Sequence, residues 1–397
     1  MPCLLVPFLA IAIGAAYEDV PMDDVVPGNT RFALELFGKL QNRPGNLFFS
    51  PGSLSTALAM TYAGAREETA QEMARTLHFS MPQERLHAAF GSLLKALDPG
   101  DSKRGYRLSI ANRLWGKKGL HYLPAFLSIV KDQYRAGLEE LDFTATEQAR
   151  SRINDWVERQ TEGKIVDLIP PDVLDARTRL VLTNAIYFKG DWSTPFPKGA
   201  TKEEPFHLAA DRAVPAPLMH RQENLRFWAG DGLKALELPY GEGDLSMVVL
   251  LPDAIDGLPA LETGLAPEKL DKWIAGLRSK SVQVALPRFK MTSQFTLGDV
   301  LTKMGMPLAF DQLDADFSGM TIQEELYIEE VVHKAFVDVN EEGTEAAAAT
   351  GVIMAPRAMA VPTPPVVFRA DHPFLFLIRD TRSGSLLFLG RMADPRG

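Results

Sequence analysis

Residues 341–350 read EEGTEAAAAT, and this run decides how the chain is interpreted. Successive side chains of a β-strand point to opposite faces. After Gly343, one face of this run would carry only small, uncharged side chains: Thr344, Ala346, Ala348 and Thr350. The other face would carry Glu345, Ala347, Ala349 and Gly351. The part after Gly343 therefore fits into a packed sheet as a new strand, with its one charge, that of Glu345, on the solvent side. The four alanines alone are equally typical of a flexible linker or a short helix.

The sequence on either side of this run indicates an α+β fold. Ser50-Pro51 has the pattern of a helix cap followed by a proline at the first helical position. Helical spacing of apolar residues continues at 65–77, 83–97 and 144–160. β-rich runs closed by Pro or Gly fill the second half: 180–188, 234–240, 245–252, 282–289, 331–340 and two runs near the C-terminus. Helices first and strands later, without regular alternation, predict α+β.

Composition excludes several classes of function. The 397 residues carry a net charge of −9 without a basic run, which argues against nucleic-acid binding. The predicted helix at 83–97 has only Arg85 and Lys95 as fixed cations, so we expect no heparin site. The one cysteine, Cys3, excludes an internal disulfide. The scattered histidines and the lack of catalytic or phosphate-binding signatures predict no metal site and no cofactor.

The N-terminus has the pattern of a secretion signal. Residues 3–13 form an apolar run too short to span a membrane, and small residues follow it up to Ala16. We therefore expect a signal peptide at 1–16, an N-terminal extension at 17–27, and a secreted, extracellular protein without a membrane anchor. A buried N-terminal strand or helix is the alternative, because no Lys or Arg precedes the apolar run.

Six short motifs occur in order along the chain. They are NLFFSP at 46–51, LTNAIYFKGDW at 182–192, ADFSG at 315–319, HKA at 333–335, EEGTEAAAAT at 341–350 and FRADHPFLFLI at 368–378. Together they resemble the serpin family over residues 28–395. The resemblance implies a single domain at 28–397, with a large central mixed β-sheet, two further sheets, about nine helices and an exposed reactive-centre loop at about 341–365.

The resemblance also implies a mechanism. A target serine protease attacks the loop as a substrate and forms a covalent acyl complex. The loop then inserts into the central sheet and distorts the protease. The chain would act as a monomer and supply no catalytic group, so we expect that it is not an enzyme. The hinge of the loop would be Glu341, Glu342, Gly343, Thr344, Glu345, Ala346, Ala347, Ala348, Ala349 and Thr350.

The reactive bond follows from the position of the hinge glycine. In the family the scissile residue usually lies fourteen positions after that glycine, and 343 + 14 = 357, which predicts the bond Arg357–Ala358. An arginine there indicates a trypsin-like target with a carboxylate in its specificity pocket. A shifted bond after Met354, Ala358 or Met359 would indicate an elastase-like or chymotrypsin-like target instead.

Motif matches predict two further groups of functional residues. Ser50, Ser53, Asn184 and His333 resemble the family's polar cluster beneath the point where the sheet opens, since buried polar groups need shared partners. Trp192 and Glu341 resemble residues at the top of that sheet. The alternatives are local hydrogen bonding for the cluster, packing for Trp192 and a surface charge for Glu341.

Two other functions stay open from the sequence. A non-inhibitory serpin would act as a binder or chaperone, but such members tend to carry bulky, charged or proline residues in the hinge. An inhibitor of an elastase-like or cysteine protease would share the inhibitory mechanism.

Overall fold

Six helices lie among the described residues up to residue 160, and four of them, at 51–62, 67–76, 83–97 and 146–160, lie where the sequence predicts helices. The computed structural model describes residues 25–98, 105–344 and 364–397. These residues form nine α-helices: α1 (Val26–Leu40), α2 (Pro51–Tyr62), α3 (Glu67–Thr76), α4 (Gln83–Leu97), α5 (Pro124–Tyr134), α6 (Thr146–Gln160), α7 (Leu258–Thr263), α8 (Pro267–Gly276) and α9 (Gly298–Met304). Helix α2 begins at Pro51, as the Ser50-Pro51 pattern predicts, because Ser50 Oγ caps the helix by accepting a hydrogen bond from the Ser53 N–H at 3.2 Å.

The described residues also form two short 3-10 helices, Lys198–Ala200 and Leu308–Phe310, and fifteen strands. They are β1 (Leu47–Phe49), β2 (Tyr106–Lys117), β3 (Leu138–Leu141), β4 (Leu180–Asp191), β5 (Lys202–Ala209), β6 (Arg212–Gly230), β7 (Leu233–Tyr240), β8 (Leu245–Pro252), β9 (Arg278–Pro287), β10 (Phe289–Thr296), β11 (Glu330–Val339), β12 (Gly343–Thr344), β13 (Val366–Arg369), β14 (Phe374–Asp380) and β15 (Leu386–Met392). The predicted α+β class is confirmed.

A central sheet of six strands has the order β10-β11-β12-β4-β2-β3. Strands β11 and β4 pair in parallel from Glu330 opposite Val181 to Phe336 opposite Tyr187. Above that stretch they separate, and the two residues of β12 lie between them, antiparallel to both. The sheet is therefore mixed, as predicted, and it is open at one end.

The other strands form one continuous sheet of nine strands, where the sequence predicted two separate sheets. Its order is β1-β15-β14-β8-β7-β6-β9-β13, with β5 paired to β6. Strand β6 is 19 residues long and joins the two predicted parts. Its first half pairs with β5 and its last five residues pair with β7, while β9 accompanies much of its length. Because β6 pairs with strands of both predicted parts, the two parts are joined into one sheet.

Apolar residues pack on both faces of the central sheet. The larger core fills the space between the central sheet, the nine-stranded sheet and helices α1 to α5. A smaller core lies on the opposite face, where Ile153 and Val157 of α6 pack near Ala185 of β4 and Val332 of β11. Because side chains alternate along a strand, their neighbours Asn184 and His333 point to the inner face.

Candidate functional site

Three polar side chains form a row across the middle of the central sheet. Asn112 of β2 lies opposite Asn184 of β4, which lies opposite His333 of β11. The amide nitrogen of Asn184 donates to Ser53 Oγ at 2.6 Å and also contacts Asn112 Oδ1. All three side chains are shielded from solvent. The row therefore joins three strands of the sheet to the first turn of α2.

The hydrogen bonds of His333 define its tautomer. Its Nε2 accepts a hydrogen bond from the Ser50 N–H at 3.1 Å, so its Nδ1 must carry the proton and donate to Asn184 Oδ1. Burial lowers the pKa of His333 to about 3. The imidazole is consequently neutral at physiological pH.

The predicted polar cluster of Ser50, Ser53, Asn184 and His333 thus lies together in the structure. Ser50 Oγ also donates to the Leu387 carbonyl at 2.6 Å, which extends the cluster to β15 of the second sheet. A strand entering between β4 and β11 would pass directly across Asn184 and His333, because those two residues are opposite each other. The cluster therefore lies directly beneath the seam between β4 and β11.

The upper end of the same seam is closed by aromatic packing. The Trp192 ring stacks on Tyr240 with centroids 4.4 Å apart and an angle of 11° between the planes. The Trp192 indole N–H donates to the Asn340 carbonyl at 2.9 Å. The Tyr240 hydroxyl lies 2.8 Å from Thr344 Oγ1, and both groups are completely buried. Burial raises the pKa of Tyr240 above its ordinary value, so the hydroxyl keeps its proton.

Glu341 lies beside this aromatic pair. Its Oε1 accepts a hydrogen bond from Thr201 Oγ1 at 2.7 Å and lies 3.7 Å from a guanidinium nitrogen of Arg288. The Glu341 carbonyl also accepts from the Phe196 N–H at 2.7 Å. Its neighbour Glu342 forms an ion pair with Lys198 at 2.5 Å. Two successive residues of the hinge are therefore anchored to the segment that follows β4.

Residues 341–344 differ from the expectation of an exposed hinge. Gly343 lies opposite Asp191, and Thr344 lies opposite both Gly190 and Val339. A Cβ atom on Gly343 would come 2.1 Å from the Gly190 carbonyl oxygen, so only glycine fits at this approach. Glu341, Gly343 and Thr344 are buried. The hinge begins inside the sheet because glycine allows close contact and Tyr240 offers a partner for the Thr344 hydroxyl.

Several predicted residues lie outside the described part of the chain. They are the remaining hinge residues Glu345, Ala346, Ala347, Ala348, Ala349 and Thr350, and the predicted bond Arg357–Ala358. The expected signal peptide at 1–16 also lies outside it, as does most of the extension at 17–27.

Sequence reasoning missed Asn112 and Tyr240. Asn112 interrupts an apolar stretch of β2, which was a readable signal of a buried amide. Tyr240 ends a β-rich run and gives no local sign of its partner, because Thr344 lies 104 residues further along the chain.

Neither a metal site nor a membrane-spanning helix is present among the described residues. Within 25–98, 105–344 and 364–397, no three His, Cys, Asp or Glu side chains are grouped as a metal site would require. No helix in the same ranges has the length and apolar character needed to cross a membrane.

Comparisons with known proteins identify the family. The family model described as "Serpin (serine protease inhibitor)" matches residues 27–395. The leukocyte elastase inhibitor of Homo sapiens is 45% identical over 387 residues, covering 94% of this chain and 100% of the relative. That of Xenopus laevis is 44% identical over 383 residues with the same coverage. The crystal structure of uncleaved ovalbumin matches with a TM-score of 0.83 and 33% identity, covering 94% of this chain and 100% of ovalbumin.

The prediction of a secreted, extracellular protein is contradicted by these relatives. Eight similar relatives are all leukocyte elastase inhibitors, and the human one is matched along its whole length by 94% of this chain. The family match begins at residue 27, so it lends no support to a signal peptide at 1–16. The physical reason for the error is that an apolar run followed by small residues is a weak pattern, and this one lacks the usual basic residue.

The description of the chain as simply not an enzyme also needs correction. The matched family consists of serine protease inhibitors. A suicide-substrate inhibitor takes part in one round of the protease's own reaction, and no turnover follows. The family match over 27–395, together with the fold shared with ovalbumin, shows that this chain belongs to the serpin family of serine protease inhibitors.

Proposed function

We propose that this chain inhibits its target by inserting the cleaved loop between β4 and β11. The observation that supports the proposal is the position of β12, where Gly343 and Thr344 already lie between those strands. The added strand would form backbone hydrogen bonds to both neighbours, each contributing about 0.5–1.5 kcal/mol net. Cleavage releases the far end of the loop and so permits this insertion.

The register of β12 defines where each loop residue would come to lie. Thr344 is opposite Gly190, so each further residue pairs with one residue earlier in β4. Position 350 then comes opposite Asn184 and His333, because 190 − 6 = 184 and 339 − 6 = 333. Thr344 points into the core, so position 350 points inward as well. Its threonine hydroxyl would meet the buried polar row, where a hydrogen-bonding group is favoured.

We assign the reactive bond to Arg357–Ala358 and the target to the trypsin-like proteases. The support is the spacing of fourteen residues from Gly343 and the presence of arginine at that position. A guanidinium group pairs with a carboxylate at the base of such a specificity pocket. The opposite-parity residue Glu345 would face solvent in the inserted strand, so insertion of residues 345–350 would bury no charge.

An elastase-like target is the second candidate, and the relatives' names favour it. The human and Xenopus laevis proteins are both leukocyte elastase inhibitors, with 45% and 44% identity to this chain. A bond after Met354, Ala358 or Met359 would present the small or medium apolar side chain that such a protease accepts.

One experiment distinguishes these candidates. The protein is mixed separately with trypsin and with leukocyte elastase, followed by denaturing electrophoresis and mass measurement of the released fragment. We expect a stable complex with trypsin and a fragment of residues 358–397. A complex with elastase alone, with a fragment beginning at Ala355, Met359 or Ala360, would move the bond. Cleavage by both proteases with no complex would instead indicate a non-inhibitory serpin.

A further inference from the structure

A cleft of about 570 Å³ lies at the end of the hairpin formed by β7 and β8, where helices α7 and α8 cover it. Its lining includes Leu233 and Pro252, which pair with each other at the open end of that hairpin. Leu261 of α7 and Trp273 of α8 line it as well. The described lining residues all lie within 231–273, so they include no residue of the central sheet.

Small residues on α7 leave this space unfilled. Gly257 and Gly264 flank the helix, and Ala260 lies between them. All three line the cleft, and their spacing of three and four residues places them on one face of the helix. Ala260 is exposed, so the space in front of its methyl group is open to solvent. A larger side chain at this position would therefore close part of the cleft.

Two lysines and one carboxylate supply the charges that line the cleft. Lys272 Nζ lies 2.9 and 2.7 Å from the two carboxylate oxygens of Asp231, and the Trp273 indole N–H donates to the same carboxylate at 3.0 Å. These hydrogen bonds hold the pKa of Asp231 below its ordinary value, and the charges of Lys272 and Lys269 lower it further. Lys272 and Asp231 thus compensate each other's charge.

Lys269 is the second of these lysines, and its charge is not compensated in this way. It lies one turn before Lys272 and Trp273 on the same face of α8. Its Nζ lies close to Gly264, where an added Cβ atom would be only 3.1 Å away. Among residues 25–98, 105–344 and 364–397, none forms a hydrogen bond or an ion pair with Lys269. The cleft therefore combines an apolar lining with an exposed ammonium group that has room for an anionic partner.

We propose that this cleft binds a free fatty acid, with the carboxylate on Lys269 and the hydrocarbon chain against Leu261 and Trp273. Ligand sites are typically about 300–1,000 Å³ in volume and mostly apolar, with a few polar groups that fix the orientation of the ligand. The carboxylate accepts a charge-assisted hydrogen bond from the ammonium group. Water leaves the apolar lining as the chain enters, which favours a long chain over a short one. A small inorganic anion would use only the lysine and would gain nothing from the apolar lining.

The test is a calorimetric titration of the full chain with laurate below its micelle concentration. We expect one laurate per chain, and octanoate, which is about four methylenes shorter, should bind at least about tenfold more weakly. Lys269→Gln should weaken laurate binding about three- to fivefold, as expected for an exposed charge pair, and Lys269→Arg should keep most of the affinity. Ala260→Leu should weaken binding at least about tenfold, because the added side chain takes the place of the hydrocarbon chain.

Lys303→Gln is the matched control, because it removes an exposed lysine from the last turn of α9 and should bind laurate like the unmodified protein. The unfolding temperature of each variant is measured, and Lys269→Gln tests the site even if Ala260→Leu impairs folding. The absence of laurate binding would overturn the proposal, and so would equal laurate affinity in the unmodified protein and in Lys269→Gln. Binding to phosphatidylglycerol vesicles without binding of free laurate would also overturn it, because the charges would then recognise a membrane surface.

Discussion

The Tyr240 hydroxyl and Thr344 Oγ1 lie 2.8 Å apart in the interior, although the residues are 104 positions apart in sequence. Tyr240 ends β7 in the nine-stranded sheet, and Thr344 ends β12 in the central sheet. This contact joins the two sheets at the point where the reactive loop leaves the fold. In the proposed mechanism Thr344 belongs to the start of the inserted strand, so this contact would hold that start in place in the uncut protein.

The hydrogen bond between Tyr240 and Thr344 should stabilise the uncut protein measurably. Tyr240→Phe leaves a buried threonine hydroxyl without its partner, so we expect a loss of about 1–2 kcal/mol in the free energy of unfolding. Thr344→Val should cost a similar amount, and the double variant less than the sum. Urea unfolding measures all three. Tyr106→Phe is the control, because the Tyr106 hydroxyl makes only a 3.4 Å contact with the Leu97 carbonyl. If the losses in the free energy of unfolding from Tyr240→Phe and Thr344→Val were strictly additive, the two side chains would not interact.

Thr344→Arg should convert the protein from an inhibitor into a substrate. Placing an unpaired cation at this completely buried position costs several kcal/mol. Insertion would then be slower than hydrolysis of the acyl intermediate, so the protease would cut the same bond and be released active. The uncut form should also lose stability, because Thr344 is already inside the sheet. The measurement is the number of inhibitor molecules consumed per protease inhibited, together with the unfolding temperature.

Glu345→Arg is the matched control for that prediction. Residue 345 has the opposite parity, so the new cation would face solvent in the inserted strand. Most of the inhibition should remain. If both variants inhibit normally, or both fail to the same degree, the alternation of buried and solvent-facing positions does not govern this loop.

The sequence predicted elements well where the pattern is local. Helix α4 and strand β8 have the predicted bounds, because an amphipathic repeat and a continuous apolar run each specify one structure. Strand β6 was not predicted, since Pro215, Pro217 and several charges weaken any β pattern. It forms because β5, β7 and β9 provide partners along most of its length, which local sequence does not reveal.

In the candidate site, too, some features follow from local sequence and others depend on partners that are distant in the chain. Ser50 and Ser53 belong to a helix start that can be read locally, and motif similarity placed Asn184 and His333 beside them. The burial of Thr344 depends instead on the close approach of Gly343 to Gly190 and on the hydroxyl of Tyr240. Both partners lie far from Thr344 in sequence, so only the assembled sheets reveal that the hinge starts inside the fold.

Arg357 should determine the choice of protease. Arg357→Ala removes the guanidinium that would pair with a carboxylate in a trypsin-like pocket, so the rate of trypsin inhibition should fall at least about 30-fold. The unfolding temperature should stay unchanged if this residue acts only on the protease. Inhibition of leukocyte elastase should not decrease in the variant. Unchanged inhibition of trypsin would contradict the assignment of the bond.

His333 should make stability fall as the pH decreases. Its pKa is lowered to about 3 in the fold, compared with about 6.5 in an unfolded chain. Between those values the unfolded chain binds a proton that the native imidazole does not bind. The stabilising contribution of the neutral imidazole is therefore complete above about pH 6.5 and is lost progressively down to about pH 3, by up to about 1.4 kcal/mol per pH unit.

The variant His333→Gln removes this titration while keeping a group that can donate and accept hydrogen bonds. It should be less stable than the unmodified protein at neutral pH, because the geometry of the Ser50 and Asn184 contacts changes. Its free energy of unfolding should depend less on pH between about 6.5 and 5, in urea titrations at several pH values. Part of the dependence should persist, because burial also lowers the pKa of His87 to about 4. The exposed His121→Gln is the control and should be as stable as the unmodified protein at neutral pH. If the free energy of unfolding of His333→Gln depended on pH as steeply as that of the unmodified protein, His333 would be protonated in the native state, or the row of Asn112, Asn184 and His333 would rearrange to accept the charge.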